Sequence, residues 1–349
     1  MTPESLSRGL RFLAAGDVYL ERLDRKEPFL KVMPLLEQAD IKFCNLEAPF
    51  TRGSVPLPGR RVSLRTDPRL FSVFSASGFN IVSLANNHMM DFGEKALRDT
   101  LGLLKKARIQ IAGAGTEWSE IRKPGVINRK GLRIGLLAYC SILGPGTASA
   151  SHQPCGVVPL RILTFYHPDF QRTAEHPGTP PKVFTQAVKD DLDGMRNDIK
   201  TVRSKVDVLL VSAHWGLVGK HEVLDYQREV GREAVNCGAD LVLGHHGHVV
   251  QGIEVFKGKL ICYGLGNFIF GHSNPNFGDI GLVVASKISK GGFENIRLIP
   301  IAFNSYGEPV PLAAHARDQA YELIIGLSKT LGTNLVVTDD GLAPLSQAT

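Results

Sequence analysis

LVLGHHGH, residues 241–248, is an apolar run followed at once by three histidines within four positions. This pattern predicts a buried strand that ends in a loop carrying the imidazoles. Neutral imidazole is a common ligand of zinc, manganese and iron. Because His246 and His248 are two positions apart, they can converge on one ion from a tight turn. The stretch therefore predicts a metal site at the end of a strand.

Four other apolar runs also end in polar side chains, namely LAAGD at 13–17, IKFCNLE at 41–47, IVSLANNH at 81–88 and VLLVSAH at 208–214. In an open α/β sheet, ligands gather beyond the carboxyl ends of the strands. We therefore expect one shared site built from Asp17, Glu47, Asn87, His88, His214, His246 and His248. Carboxylate, amide and imidazole donors together suit one or two divalent ions, and a carboxylate can bridge a pair. This set of donor atoms is compatible with Mn, Zn, Fe, Ca and Mg ions.

The order of predicted elements indicates a mixed α/β protein. Strands alternate with helices between residues 10 and 115, which implies parallel pairing through right-handed crossovers. Hairpins are expected at 125–139 and 249–263. Because no linker divides the chain, we predict one domain over 9–305, followed by a C-terminal helix and tail over 306–349.

Two segments are predicted to lack regular structure. Residues 141–183 are rich in Gly, Pro, Ser, Thr and His without a clear period, and such a long segment is typical of a lid or a binding loop. The last dozen residues are expected to fray.

Composition narrows the class of protein. The 349 residues include 40 Lys and Arg against 34 Asp and Glu, a formal net charge of +6 without any block of like charge. This balance favours anionic partners weakly and argues against nucleic acid. Five scattered cysteines suggest free thiols in a reducing compartment. No apolar run reaches about 18 residues and no signal peptide is evident, so we expect a cytoplasmic protein without a transmembrane segment.

With these motifs in place, the chain resembles the bacterial capsule-synthesis family CapA, the poly-γ-glutamate synthesis group within the calcineurin-like metallophosphoesterase superfamily. The resemblance rests on seven ordered blocks: 16–18, 45–49, 83–88 with Asp91 and Gly93, 112–115, 214–216, 238–246 with His248, and 263–268. It implies an α/β fold, a metallophosphoesterase-like four-layer sandwich of two facing mixed β-sheets flanked by helices. The metals would lie at one edge of the sheets.

The resemblance also implies roles for individual residues. The metal ligands would be Asp17, Glu47, Asn87, His214, His246 and His248. His88 would be the histidine that acts on the leaving group, and Asp91 could orient it. On the residues alone, Asp17 and Glu47 could instead cap the helices that follow them. His245 should alternate away from the ligands, which favours a structural role.

Two departures from the superfamily pattern bear on the chemistry. The phosphoesterases have Asp-x-His at the first motif, whereas this chain has Tyr19 two positions after Asp17, so one of the two metal sites loses an imidazole. The acidic residue that usually follows His-Trp-Gly is also absent, since LVGK occupies 217–220. One site is therefore expected to be weak or empty.

Three further residues are candidates for substrate binding. Arg60 and Arg65 lie in the basic stretch 51–69, and arginine suits bidentate recognition of carboxylates, although a solvated basic loop is the alternative. Trp215 beside His214 could form an apolar wall.

The resemblance implies a metal-dependent protein that makes or processes an anionic peptide-like polymer of the poly-γ-glutamate type. Its expected partners are that substrate and other capsule-synthesis proteins. Three alternatives stay open: a metal-dependent peptide epimerase using histidine acid–base chemistry, a phosphoesterase, and a non-catalytic assembly factor whose metal is structural.

Overall fold

The predicted strands and helices are present, with further strands that the sequence did not reveal. A computed structural model of the chain describes residues 9–21, 24, 27–147, 155–271 and 276–345. The first ten strands are β1 (Leu10–Tyr19), β2 (Ile41–Leu46), β3 (Ile81–Ser83), β4 (Gln110–Ala112), β5 (Ala114–Gly115), β6 (Gly125–Arg129), β7 (Leu132–Cys140), β8 (Gly156–Val157), β9 (Ile162–His167) and β10 (Lys182–Ala187). The other ten are β11 (Val208–His214), β12 (Leu241–His245), β13 (Ile253–Phe256), β14 (Lys259–Cys262), β15 (Asn267–Phe270), β16 (Ile280–Ser289), β17 (Gly292–Phe303), β18 (Pro309–Pro311), β19 (Leu335–Thr338) and β20 (Gly341–Pro344).

Helices separate most of the parallel strands. They are α1 (Met33–Leu36), α2 (Phe71–Ala76), α3 (Gly93–Lys106), α4 (Trp118–Ile121), α5 (Phe170–Glu175), α6 (Lys189–Arg203), α7 (Asp225–Cys237) and α8 (Ala314–Lys329), with 3₁₀ turns at Leu30–Val32 and Pro68–Leu70. No helix within the described ranges is both long and apolar enough to cross a membrane.

Two mixed sheets form the framework. The larger runs β19-β20-β17-β16-β1-β2-β3-β4, with β15 also paired to β1 and β18 to β17. The smaller runs β13-β14-β12-β11-β7-β6. Strands β1 to β4 pair in parallel, as do β7, β11, β12 and β14. In the larger sheet, β1 and β2 therefore end at the same edge. In the smaller sheet, the same is true of β11 and β12.

Apolar side chains fill the layer between the two sheets. Phe12 and Ile81 of the larger sheet share one buried core with Leu136 and Leu210 of the smaller sheet. A second core lies beneath α6 and α7, where Met195 and other buried residues recur at the helical spacing of three and four. Helix α3 adds buried Leu97 and Leu104 to the first core. The predicted sandwich of two facing mixed sheets flanked by helices is confirmed.

The segment 141–183 is not the structureless loop that the sequence predicted. Strands β9 and β10 pair antiparallel around α5, and the Ala187 N–H donates to Glu229 of α7 at 2.9 Å. Large side chains on this hairpin are exposed, with Phe165 at 48% and Phe170 at 77%. Because neither strand buries one face, no apolar alternation marks it in the sequence. Part of the segment, 148–154, lies outside the described residues.

The chain after residue 305 extends the larger sheet. Strand β18 pairs with β17, and β20 joins the same sheet through the pairing of Leu342 with Leu298. Leu342 is fully buried, so the prediction that the last dozen residues fray is wrong as far as Pro344. Ile324 of α8 packs into the core between the sheets. The boundary between 305 and 306 stays a prediction.

Candidate metal centre

The ends of four strands bring the predicted ligands together. Asp17 lies in β1, Glu47 directly follows β2, His214 ends β11, and the loop after β12 carries His246 and His248. Asp17, Glu47 and His248 each offer a ligand atom within 4.8 Å of the others. Two of these elements belong to the larger sheet and two to the smaller. The site therefore joins the two sheets at one edge.

The remaining ligands lie against this group. Asn87 Oδ1 is 2.6 Å from His214 Nε2. The rings of His214 and His246 have centroids 4.9 Å apart, and those of His246 and His248 are 6.1 Å apart. All six predicted ligands thus lie in one cluster. Nothing in the structure supports the alternative that Glu47 caps a helix, because neither an α-helix nor a 3₁₀ turn begins after it until Pro68.

The loop that carries the histidine pair has an unusual backbone. His246 and His248 have φ values of 88° and 53°, in the left-handed region that non-glycine residues rarely adopt. The His246 N–H donates to Asp17 Oδ2 at 3.2 Å, which fixes the loop to β1. A Cβ on Gly244 would lie 2.0 Å from the Tyr263 carbonyl oxygen, so only glycine permits this approach. Such strained backbone recurs at functional sites.

Glu47 is the most isolated acidic side chain among the predicted ligands. It is fully buried, and neither carboxylate oxygen has a hydrogen-bond partner among the described residues. Burial, and then the neighbouring Asp17 charge, raise the pKa of Glu47 well above its ordinary value. Its Oε1 lies 3.7 Å from His248 Nε2 and 3.9 Å from His214 Nε2. A buried carboxylate beside unprotonated imidazoles fits a divalent ion.

The three imidazoles are in the form that binds metals. Burial, and then the neighbouring imidazoles, lower the pKa of His246 to about 3 and that of His214 well below its ordinary value. Burial likewise lowers the pKa of His248. His248 Nδ1 donates to Asn267 Oδ1 at 2.8 Å. The proton is therefore on Nδ1, and the unprotonated Nε2 faces Glu47. His246 Nδ1 has no hydrogen-bond partner in the described part of the chain.

A network of amide and imidazole groups holds Asp17. Its Oδ1 accepts from Asn45 Nδ2 at 2.9 Å and lies 3.0 Å from His245 Nδ1. Burial alone would raise the pKa of Asp17, but the hydrogen bond from His245 and the nearby imidazoles lower it below its ordinary value. His245 also packs on the Phe43 ring, with centroids 5.7 Å apart. The prediction that His245 alternates away from the ligands is therefore wrong, because its Nδ1 faces Asp17 and supports that carboxylate.

Sequence reasoning missed Asn45, Asn86 and Asn267 as parts of the site. Asn45 precedes Glu47 by two residues, and that spacing places both on one side of an extended chain, which was the available signal. Asn86 Oδ1 accepts the N–H groups of His88 and Met89, at 3.1 and 2.9 Å, and so holds the turn that carries His88. Asn267 lies on β15, which no periodicity revealed.

His88 and Asp91 form a hydrogen-bonded pair beside the cluster. His88 Nδ1 lies 2.6 Å from Asp91 Oδ2, which also accepts the Leu64 N–H at 2.7 Å. Both residues line a cavity of about 390 Å³ that also borders Asn87 and His246. The predicted acid–base residue and the predicted ligands therefore share one cavity.

The structure brings one of the three predicted substrate residues to this cavity. Arg60 lines it. Arg65 instead donates to the Gly53 carbonyl and lies over the Phe92 ring, 5.7 Å from its centroid. Trp215 is fully buried, and its indole N–H donates to the Tyr263 carbonyl at 2.7 Å, so the indole packs in the core and does not form a cavity wall.

Tyr19, which stands where the superfamily has a histidine, lies in an apolar cluster. Its ring packs edge-on against Phe270, with centroids 5.2 Å apart, and Ala48 and Leu64 complete the cluster. Burial raises the pKa of its hydroxyl, which keeps the phenol neutral. Tyr19 therefore adds no charged ligand beside Asp17.

Two facing mixed sheets with polar side chains at one strand edge define a metallophosphoesterase-like fold. A family model described as "Bacterial capsule synthesis protein PGA_cap" matches residues 11–272, which is most of the chain. The chain belongs to this family.

Named relatives agree with this membership. The "PGA biosynthesis protein CapA" of Bacillus subtilis is 28% identical over 307 residues, which cover 85% of this chain and 72% of that protein. The "Capsule biosynthesis protein CapA" of Bacillus anthracis is 25% identical over 289 residues, covering 82% of this chain. The chain spans 63% of the length of that relative, which is less than two thirds. A solved hypothetical protein from Thermus thermophilus has a TM-score of 0.47 at 16% identity, covering 83% of this chain and 98% of that one.

Proposed function

We propose that this chain is a metal-dependent enzyme that acts on an anionic peptide-like polymer of the poly-γ-glutamate type during its synthesis or processing. One observation carries the metal dependence, namely the buried Glu47 carboxylate with no hydrogen-bond partner among the described residues and two imidazoles within 4 Å. Family membership and the names of the relatives support the polymer.

One or two divalent ions would be held by Asp17, Glu47, Asn87, His214, His246 and His248. When bound there, such an ion would supply polarisation of a carbonyl group or activation of water. The protein's own part is to keep the imidazoles neutral by burial and to hold Asp17 through Asn45 and His245.

His88 is the proposed proton-transfer residue. Asp91 binds Nδ1, which orients the ring and leaves Nε2 as the atom that can exchange a proton with a substrate in the cavity. Asp91 acts through His88 and is a positioning residue. Arg60, which also lines the cavity, supplies positive charge for an anionic substrate.

A panel of γ- and α-linked glutamyl peptides incubated in D₂O tests this proposal. Chain shortening would identify a hydrolase, and gain of one deuterium without cleavage would identify epimerase chemistry. Phosphate release from a model ester alone would instead identify a phosphoesterase and contradict the polymer substrate. Lack of any turnover would contradict the enzyme assignment and favour a structural metal in an assembly factor.

A further inference from the structure

Arg60 is a buried cation with unused donors. Its side chain is 6% exposed, yet Nε and Nη2 have no hydrogen-bond partner among the residues that the structure describes. Nη1 is already fixed, because it donates to Thr147 Oγ1 at 2.7 Å and to the Asn87 carbonyl at 3.3 Å. Gly144 makes room for this group, since a Cβ there would lie 2.8 Å from Nη1. The guanidinium is therefore held at Nη1, while Nε faces the Asp91 carboxylate at 3.5 Å without a hydrogen bond, and Nη2 has no hydrogen-bond partner among the described residues.

The edge of the guanidinium that carries Nε and Nη2 has the shape of a carboxylate receptor. Nε and Nη2 share one edge of the planar guanidinium, and two parallel N–H groups match the two oxygens of a carboxylate. Arg60 lines the same cavity as His88, and Nη1 contacts the backbone of the predicted ligand Asn87. A carboxylate bound here would lie next to the reacting group of the substrate.

The surrounding charge favours a monoanion. Asp91 Oδ1 lies 3.5 Å from Arg60 Nε and has no hydrogen-bond partner in the described residues, so it partly offsets the positive charge. A phosphate dianion would meet this carboxylate at close range and be repelled more strongly than a carboxylate with a single charge. Val62, Ile142 and Phe277 add apolar surface to the cavity wall, which suits methylene groups.

We infer that Arg60 forms a carboxylate subsite, which selects substrates that carry a free carboxylate beside the bond at the metal centre. A γ-linked glutamyl chain has this chemistry. The Cα bonded to each amide nitrogen carries a free α-carboxylate, and two methylenes separate that Cα from the next amide carbonyl. The identity of the reacting bond rests on the proposed function. The subsite itself does not, because it can be tested by binding alone.

Calorimetric titration with a γ-linked glutamate trimer and with its α-carboxamide analogue tests the subsite without requiring turnover. We expect the protein to prefer the trimer by about 10–100-fold, as for hydrogen bonds to a charged group. Arg60→Gln should abolish this preference, and Arg60→Lys, which keeps the charge without the fork, should retain only part of it. Arg69→Gln is the charge-matched control, because Arg69 is 64% exposed and pairs with Asp67 on the surface.

Equal binding of trimer and carboxamide by the wild-type protein, or a preference that survives in Arg60→Gln, would overturn the subsite. Competition by inorganic phosphate as strong as that by the trimer would overturn the choice of a carboxylate. If circular dichroism shows that Arg60→Gln does not fold, the test uses Arg60→Lys, and an undiminished preference for the trimer in that variant would overturn the subsite. An Arg60-dependent preference without any turnover in D₂O would support the subsite while refuting the proposed function, so the two failures are distinguishable.

Discussion

Single residues in this protein differ in how the structure holds the predicted metal ligands. Glu47 and His246 offer atoms without hydrogen-bond partners among the described residues, whereas Asp17 and His248 are oriented by amide groups of Asn45 and Asn267. The side chains that are expected to bind a metal can be predicted from the polar residues at the ends of apolar strands. Of the supporting amides, Asn45 had a signal in its spacing from Glu47, whereas Asn267 lies on β15, which only the folded sheet brings to the site.

His88 provides a test of catalysis that is separate from metal binding. His88→Ala should leave metal content and thermal stability nearly unchanged, because the ring hydrogen-bonds Asp91 and no predicted ligand. Turnover of glutamyl peptides should fall by about 10²–10⁴-fold, the usual effect of losing an acid or base. The exposed His315 provides the matched control, His315→Ala, which should retain full turnover. Equal turnover in both variants would remove His88 from the chemistry.

The replacement of a ligand position by Tyr19 predicts unequal metal sites. The site of Asp17, Glu47 and His248 should bind more weakly than the one formed by Glu47, Asn87, His214 and His246, because Tyr19 packs against Phe270 and donates no imidazole. Titration calorimetry of chelator-treated protein should show two distinct affinities or a single binding event. Two equally tight ions would mean that an unassigned residue completes the first site.

At the scale of elements, strand β12 and the loop after it determine the positions of His246 and His248. The sequence predicted β1 to β3, β11 and β12 because each buries an apolar run that is followed by polar residues. It did not predict β9 and β10, whose side chains are exposed on both faces, or β19 and β20, which are short strands at a sheet edge. Apolar periodicity reports burial on one face, so strands without it were missed.

Gly244→Ala should disrupt this element. Its added methyl would lie 2.0 Å from the Tyr263 carbonyl oxygen and 2.5 Å from Trp215 Nε1, so β12 and the segment carrying Tyr263 must separate. We expect a loss of at least about 2 kcal/mol in the free energy of unfolding, together with reduced metal content. Gly102→Ala in α3 is the control, because a Cβ there meets nothing within 4 Å and should be neutral or stabilising. Urea unfolding measures both, and equal stability of the two variants would contradict this account.

At the scale of the whole molecule, the candidate metal centre lies across the contact between the two sheets. Asp17 and Glu47 come from the larger sheet, and His214, His246 and His248 come from the smaller one. Binding at such a site stabilises only the folded chain. The stability of the entire sandwich should therefore respond to metal and to pH.

Chelator-treated protein should lose stability as the pH falls from about 6.5 towards about 5.5, just below the ordinary pKa of histidine. His214, His246 and His248 have folded pKa values below their ordinary value, so the unfolded chain takes up protons first and is favoured in this window. Glu47 opposes this trend because its folded pKa is raised. The net loss should be roughly 1–2 kcal/mol per pH unit. Urea unfolding should show a shallower dependence for His246→Gln, and an unchanged slope would contradict the assigned protonation states.

The metal content of the purified protein is the most direct test of the central claim. Elemental analysis should compare wild type with Glu47→Gln, both prepared without chelator. Glu254→Gln is the matched control, because Glu254 is also buried but is bound by Arg232 and Tyr263. We predict at least one equivalent of a divalent transition ion in wild type and in Glu254→Gln, and a marked loss in Glu47→Gln. Absence of metal from wild type, or equal content in all three proteins, would contradict the metal centre.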